Sequence, residues 1–252
     1  MVSKKIIINA DDLGRTAGIN AGIFEAHSRG IVSSATLMVG YDAATTAAAE
    51  LGRYPDLGVG LHVALTGGRP TLPLADVPSL VDADGFLPRK PENAVGFQYE
   101  DVLAEVRHQL KLFCRLTDRL PTHLDSHHHC QRLPVVLDAI VTVARERGLP
   151  VRNASPEVGQ RLRQEGLVTT DRFVDRFYGD GVRAEVLHEI LAEAGEGTTE
   201  VMCHPGQACD ELRAGSGYAE ERELETRLLT APGLQQKLQQ HGLELVHFGS
   251  AF

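Results

Sequence analysis

Short apolar runs of strand length alternate with helix-length segments along most of this chain, and that order leaves few folds open. The runs are "KKIIINA" (4–10), "SATLMVG" (34–40), "LGVGLHVALT" (57–66), "THLDSH" (122–127), "LPVRNA" (149–154), "TEVMCHPG" (199–206) and "LELVHF" (243–248). Consecutive β-branched residues such as Ile6, Ile7 and Ile8 suit strands buried on both faces, as in parallel sheets covered by helices. Between them the spacing predicts helices. One follows Thr16 as N-cap, with Ile19 and Ile23 four apart and Gly30 as its stop. A short one covers 43–54. Another runs near 101–117, where Val102, Val106, Leu110 and Phe113 form one stripe. Pro134 opens the next, and further helices cover 183–194 and 219–230.

Alternation of this kind implies an α/β fold with about seven parallel strands, either a barrel or a doubly wound sheet. The 252 residues fit a single domain over 1–252, with no internal repeat and no composition break. The exception to the periodicity is 67–99, rich in Pro, Gly and Asp, which reads as a long irregular insertion.

Charge narrows the partners. A formal net charge of −9 argues against nucleic acid or an anionic membrane as a partner, since both need a basic face. No run of 18 apolar residues reads as a membrane span, and the N-terminal apolar run is too short for a signal peptide. Cys114, Cys130, Cys203 and Cys209 form no CxxC pair and are expected to be reduced thiols in a cytoplasmic protein. Oligomeric state is open, a homodimer included.

In parallel α/β architectures, functional groups collect where strands end and βα loops begin. "NADD", "GLH", "HLDSH" and "CHPG" all fall at such ends. Strand alternation projects His123, Asp125 and His127 to one face, and places His62 on the face of Gly60 and Ala64, which leave room around an imidazole. Asp11 and Asp12 must diverge, so one can face a metal while the other approaches its water. Each piece has a plain structural reading: His62 as a hydrogen-bonded core histidine, the paired acids as caps, His204 as a turn residue. His128 and His129 read either as substrate contacts or as loop residues. Cys130 and Cys203 read as small buried hydrophobes rather than zinc thiolates, and His27, His108, His188 and His241 as solvated. Burying so many ionisable groups together is costly unless they are coordinated or paired, which favours a divalent-ion site of histidines and a carboxylate.

The motifs together resemble the YdjC-type carbohydrate deacetylases, including the ChbG-like chitooligosaccharide (chitobiose) deacetylases. The matching segments are "INADDLG" (8–14), "GIVSSATLMVG" (30–40), "VGLHVALTGGRP" (59–70), "THLDSHHH" (122–129), "PVRN" (150–153), "EVMCHPG" (200–206) and "EERELETRLL" (220–229). One departure is Leu13, where the family commonly carries Phe. The resemblance implies a distorted (β/α) TIM-like barrel and one divalent metal ion, Mg2+ or Zn2+, held by Asp12, His62 and His127. It also implies that Asp11 is the general base, by analogy with related deacetylases. His204 is the candidate general acid, and Asp125 would orient a ligand histidine. Arg152 and Arg222 would fix carboxylates or meet sugar hydroxyls, and His123 and His128 are further support or substrate candidates. The expected substrate is a small N-acetylated saccharide. The rival readings are a metal-dependent amidase or esterase on a non-sugar acyl group, a non-catalytic metal-stabilised sugar-binding protein and, more weakly, a glycosidase.

Overall fold

The computed structural model describes residues 3–252. Its strands are β1 (Lys4–Leu13), β2 (Ser34–Leu37), β3 (Gly58–Val63), β4 (Leu124–Ser126), β5 (Arg172–Val174), β6 (Gly197–Cys203) and β7 (Leu243–Leu245). The helices are α1 (Ala17–Ser28), α2 (Ala43–Glu50), α3 (Tyr99–Thr117), α4 (Pro134–Arg147), α5 (Pro156–Gln164), α6 (Ala184–Glu193), α7 (Asp210–Gly215), α8 (Glu220–Leu229) and α9 (Leu234–Gln240).

All strand pairs are parallel, in the order β4-β3-β2-β1-β6-β5. β1 is the axis of the sheet. β6 lies along one side of it, while β7 and then β2 share the other, β7 at Lys4–Ile6 and β2 from Asn9 onward. Ile6, Ile7 and Ile8 are wholly buried, as a strand covered on both faces requires. The outer edges also meet. Leu124 N–H donates to the Pro150 carbonyl at 2.9 Å, Val151 N–H to Val168 at 3.0 Å and Asp171 N–H to Thr198 at 2.9 Å. Backbone hydrogen bonds therefore run round the whole circuit, and the sheet closes as an irregular barrel.

The expected strand at 149–154 reduces to one bridge, Leu124 with Val151. The closing strand is β5 instead, three residues whose sequence, Arg-Phe-Val, carries no alternation long enough to read. Elsewhere local chemistry and tertiary structure agree. Thr16 Oγ1 accepts from Ile19 N–H at 3.2 Å and caps α1. Val102, Val106, Leu110 and Phe113 are the buried stripe of α3, and Pro134 opens α4.

Between β3 and α3 the chain forms only three single 3₁₀ turns, Leu74–Asp76, Pro78–Leu80 and Pro91–Asn93. It is anchored nonetheless. Buried Glu105 accepts from Thr71 N–H at 2.7 Å and Leu72 N–H at 3.0 Å, and Gln109 pairs with both the N–H and the carbonyl of Ala64, just beyond β3. His108, expected to be solvated, is half-buried with Nδ1 2.8 Å from Thr71 Oγ1. α3 thus holds both ends of the turn that leaves the His62 strand.

Candidate metal centre

Asp11 and Asp12 close β1, His62 lies one residue before the end of β3, Asp125 sits in β4, His127 follows β4 and His204 follows β6. All six therefore reach the carboxyl mouth of the barrel. Adjacent strand residues should point apart, yet both aspartates serve this mouth. The β1–β2 register shifts between Ala10 and Leu13, and Asp12 takes φ +70°, a left-handed conformation uncommon for a residue with a side chain. The bulge turns the second acid back toward the site.

Asp12, His62 and His127 each bring one ligand atom to within 4.8 Å of the others, and all three are buried. Asp12 Oδ1 lies 3.5 Å from His62 Nε2 and 3.2 Å from His127 Nδ1. That oxygen is buried with no hydrogen-bond partner, the signature of an acceptor prepared for something other than a protein donor. Burial would raise the Asp12 carboxyl, but Arg222 and His127 hold it well below the usual carboxylate range. The acid is ionised, as a ligand must be.

His62 is braced from behind. In the register of β3 and β4, His62 stands beside Asp125, and its Nδ1 lies 2.7 Å from Asp125 Oδ1. Thr36 Oγ1 donates to the other Asp125 oxygen at 3.0 Å. A carboxylate on one imidazole nitrogen fixes the ring so that the other faces the ion, a common arrangement for metal-bound histidine. Burial opposes charge on His62, but Asp125, Asp12 and Asp11 outweigh it and push the imidazole up to about 10. Holding a cation there would require that proton to leave.

Asp11 is held differently. Arg152 grips it with two bonds, Nη1 to Oδ2 at 2.7 Å and Nη2 to Oδ1 at 2.6 Å, and Asn9 Nδ2 adds a third at 2.9 Å. The same wholly buried guanidinium meets Asp125 Oδ2 at 2.8 Å and Glu200 Oε1 at 2.7 Å. One cation thus serves three acids, too little charge for all of them: Asp11 stays well below its ordinary range, while burial and its acidic neighbours push Glu200 up to about 7. Asp11, His62 and Asp125 also bring ligand atoms within 4.8 Å, but both carboxylates are already engaged by Arg152. The first trio fits a cation better.

His204 lines the same mouth, half-buried. Glu225, in α8, accepts its backbone N–H at 2.5 Å. Burial and the Arg222 charge push its imidazole down to about 4, so it is neutral at pH 7 in the free protein. Gly22 of α1 makes this loop's path feasible: a Cβ there would fall 2.3 Å from Gly206 Cα. Arg222 donates through Nη2 to Asp12 Oδ2 and through Nε to the Tyr218 carbonyl at 3.1 Å.

Not every histidine on the shared face joins. His123 is fully buried, stacked on Phe248 with ring centroids 3.7 Å apart, and occupies the space that a Cβ on Gly60 would need. It lies deeper in the barrel than the trio. His128 is exposed and stacks on His127 at 3.7 Å, with Nδ1 3.1 Å from Thr66 Oγ1. Residues not singled out from the sequence also belong to the centre: Glu200, Glu225, Thr36 and Asn9. A lone acid in β6, four residues before His204 and so on the same face in alternation, was the available signal for Glu200. Glu225 sits one turn after Arg222 with nothing local to mark it. Cys114, Cys130, Cys203 and Cys209 form no disulfide; burial pushes the Cys203 thiol up, and Cys203 Sγ donates to the Asn9 carbonyl at 3.4 Å.

Comparison with known proteins follows the same line. A family described as YdjC-like protein matches residues 5–240. A carbohydrate deacetylase of Geobacillus stearothermophilus is 40% identical over 96% of this chain and 96% of its own length. A chitooligosaccharide deacetylase of Yersinia enterocolitica is 38% identical, covering 97% of this chain and 98% of its own. A crystal structure from Enterococcus faecalis V583, titled for cellobiose-phosphate cleavage, superposes with a TM-score of 0.93 at 31% identity over 98% of both chains. A family 4 carbohydrate esterase of Streptomyces lividans in complex with acetate shares the fold alone, with a TM-score of 0.54 at 9% identity over 100% of this chain and 97% of that one.

Proposed function

The chain belongs to the YdjC-like protein family, and on that premise we propose that it is a metal-dependent hydrolase removing the acetyl group from an N-acetylated sugar and releasing acetate. N-acetylglucosamine-containing oligosaccharides such as chitobiose are the substrates this reading favours, because full-length relatives are named carbohydrate and chitooligosaccharide deacetylases. The observation that carries it is the meeting of Asp12 Oδ1, His62 Nε2 and His127 Nδ1, with the unpartnered oxygen among them.

Asp12, His62 and His127 would hold the ion. When bound, a divalent ion lowers the pKa of a water and polarises an acyl carbonyl. Two imidazoles with one carboxylate suit Zn2+, whereas Mg2+ would retain more waters. Elemental analysis of protein purified without added metal separates the two.

Asp11 stands next to this centre as an ionised acceptor fixed by Arg152, the position a general base needs. Held ionised by Arg152, Asp11 would accept the proton of the attacking water. His204 would hand a proton to the departing amine nitrogen. Because it is neutral at pH 7 in the free protein, that proton must first be passed to it within the cycle. Arg222 keeps Asp12 oriented and ionised.

No described helix is long and apolar enough to cross a membrane. A cytoplasmic setting, with neither nucleic acid nor membrane as a partner, completes the proposal. The deciding experiment is acetate release from N-acetylated mono-, di- and oligosaccharides with and without chelator. Release that chelator abolishes is expected. A protein that binds metal stoichiometrically yet frees no acetate from any of them would favour a sugar-binding role and end the deacetylase reading.

A further inference from the structure

Beside His204 stands a pair of aromatic rings with no part in holding the metal. Tyr178 and Tyr218 stack with centroids 4.3 Å apart and planes 19° from parallel, and both approach the His204 ring edge-on, at 5.2 and 6.0 Å. The inner ring is pinned. Tyr218 Oη donates to Glu225 Oε1 at 2.5 Å and accepts the Gly179 N–H at 3.2 Å. Glu225 is the same buried carboxylate whose other oxygen takes the His204 backbone N–H. The outer ring is free: Tyr178 is 47% exposed, an unusual state for a large ring so near a buried charged centre. Gly179, at φ +57°, makes the turn that sets Tyr178 over Tyr218.

A rigid aromatic face at the mouth of a polar site that leaves 47% of its residue in water offers a ready contact surface. Amphipathic rings of this kind present broad contact area at low conformational cost, and their faces suit the C–H face of a sugar ring while polar edges meet its hydroxyls. We infer that the open face of Tyr178, backed by Tyr218, is the platform on which the pyranose ring bearing the scissile acetamide stacks. Glu225 ties that platform to the His204 loop, so ring and proton donor are set by one carboxylate and keep their spacing. The inference rests on the deacetylase reading for the identity of the ring, and extends it by naming what selects a saccharide over a ring-less amide.

The experiment pairs Tyr178→Ala with Tyr178→Phe, using N,N′-diacetylchitobiose as probe. Calorimetric titration in chelator reads affinity, and acetate release with metal present reads KM and kcat. Loss of one stacking face predicts affinity weakened roughly 10-fold and KM raised by a similar factor in the alanine variant, with kcat moved less. Tyr178→Phe, which keeps the ring, recovers most of the loss. Unchanged affinity in Tyr178→Ala alongside normal acetate release overturns the platform alone. So does a fall in kcat with KM unmoved, or a loss that phenylalanine fails to restore. If wild-type protein binds the disaccharide but releases no acetate, the deacetylase reading fails while the titration still decides the platform. Wild type that neither binds the disaccharide nor releases acetate overturns both.

Discussion

His123 and His127 flank one three-residue strand and leave it on the same face, yet they end in different chemistry. At the floor, His123 lies against Phe248, its Nδ1 near Thr122 Oγ1 at 3.0 Å and its Nε2 buried without a partner. Burial and Arg152 hold it well below the ordinary imidazole range, so it is a neutral packing element. At the mouth, His127 meets Asp12, and the acid opposes the same burial. About one turn of strand separates an inert histidine from a ligand candidate. What distinguishes them is whether a carboxylate from another strand reaches the ring; residue type and strand face do not.

The sharpest way to break this comparison is to remove the mouth. Asp12→Ala and His62→Ala are each expected to abolish stoichiometric metal and with it acetate release, as measured by elemental analysis and a coupled assay. Metal retained in both would show that the ion sits elsewhere. Next in size, His204→Ala should keep the metal while lowering turnover by about 10²–10⁴-fold, the range of a positioned proton donor. Acetate release at the wild-type rate would remove His204 from the reaction.

Between mouth and floor lies Glu200, a pH-dependent element. Its folded-state carboxyl is pushed up to about 7 from an ordinary 4.5, so the native protein holds this proton more tightly than the unfolded chain. Its contribution is fully present below pH 4.5, falls as pH rises toward 7 and is flat above. The total is about 3 kcal/mol. Glu200→Gln keeps an acceptor for Arg152 and should flatten that part of the stability curve, seen by denaturant melts at pH 4.5 and 8. An unaltered slope would assign the decline to other groups.

The smallest expected effect concerns the floor alone. Gly60→Ala places a methyl 2.4 Å from the His123 ring and should cost about 1–3 kcal/mol through overpacking, with metal content maintained. Loss of metal in this variant would mean that floor and mouth are mechanically coupled.

The strand–helix alternation was legible because each buried strand had to be apolar and each helix amphipathic. The spans of α3 and α4 and the Thr16 cap followed from that local chemistry. β5 was not, since a three-residue pairing carries too little pattern, and the strand legible at 149–154 shrank to a single bridge. Candidate ligands were legible because histidines and acids are costly in apolar strands and stand out there. Their partners were less so. The Arg152 clamp joins Asp11, Asp125 and Glu200 across 141, 27 and 48 positions of chain, and no local rule relates such positions. Alternation has Asp11 and Asp12 diverge, and the two acids meet different partners, Arg152 and the His62–His127 pair; the register shift in β1 and the left-handed turn at Asp12 that accompany this were not legible.

By itself, then, the order of residues determined that this chain builds a parallel α/β wall and delivers acids and histidines to the carboxyl ends of its strands. Periodicity and the cost of burying polar groups act locally and can be read along a line. Which histidine meets which carboxylate, that Asp12 keeps an oxygen open, and that Tyr178 stands free beside His204 were decided only when the barrel closed. Hydrogen bonds and charge interactions act over a few ångströms, and only the tertiary fold sets those distances between residues far apart in sequence.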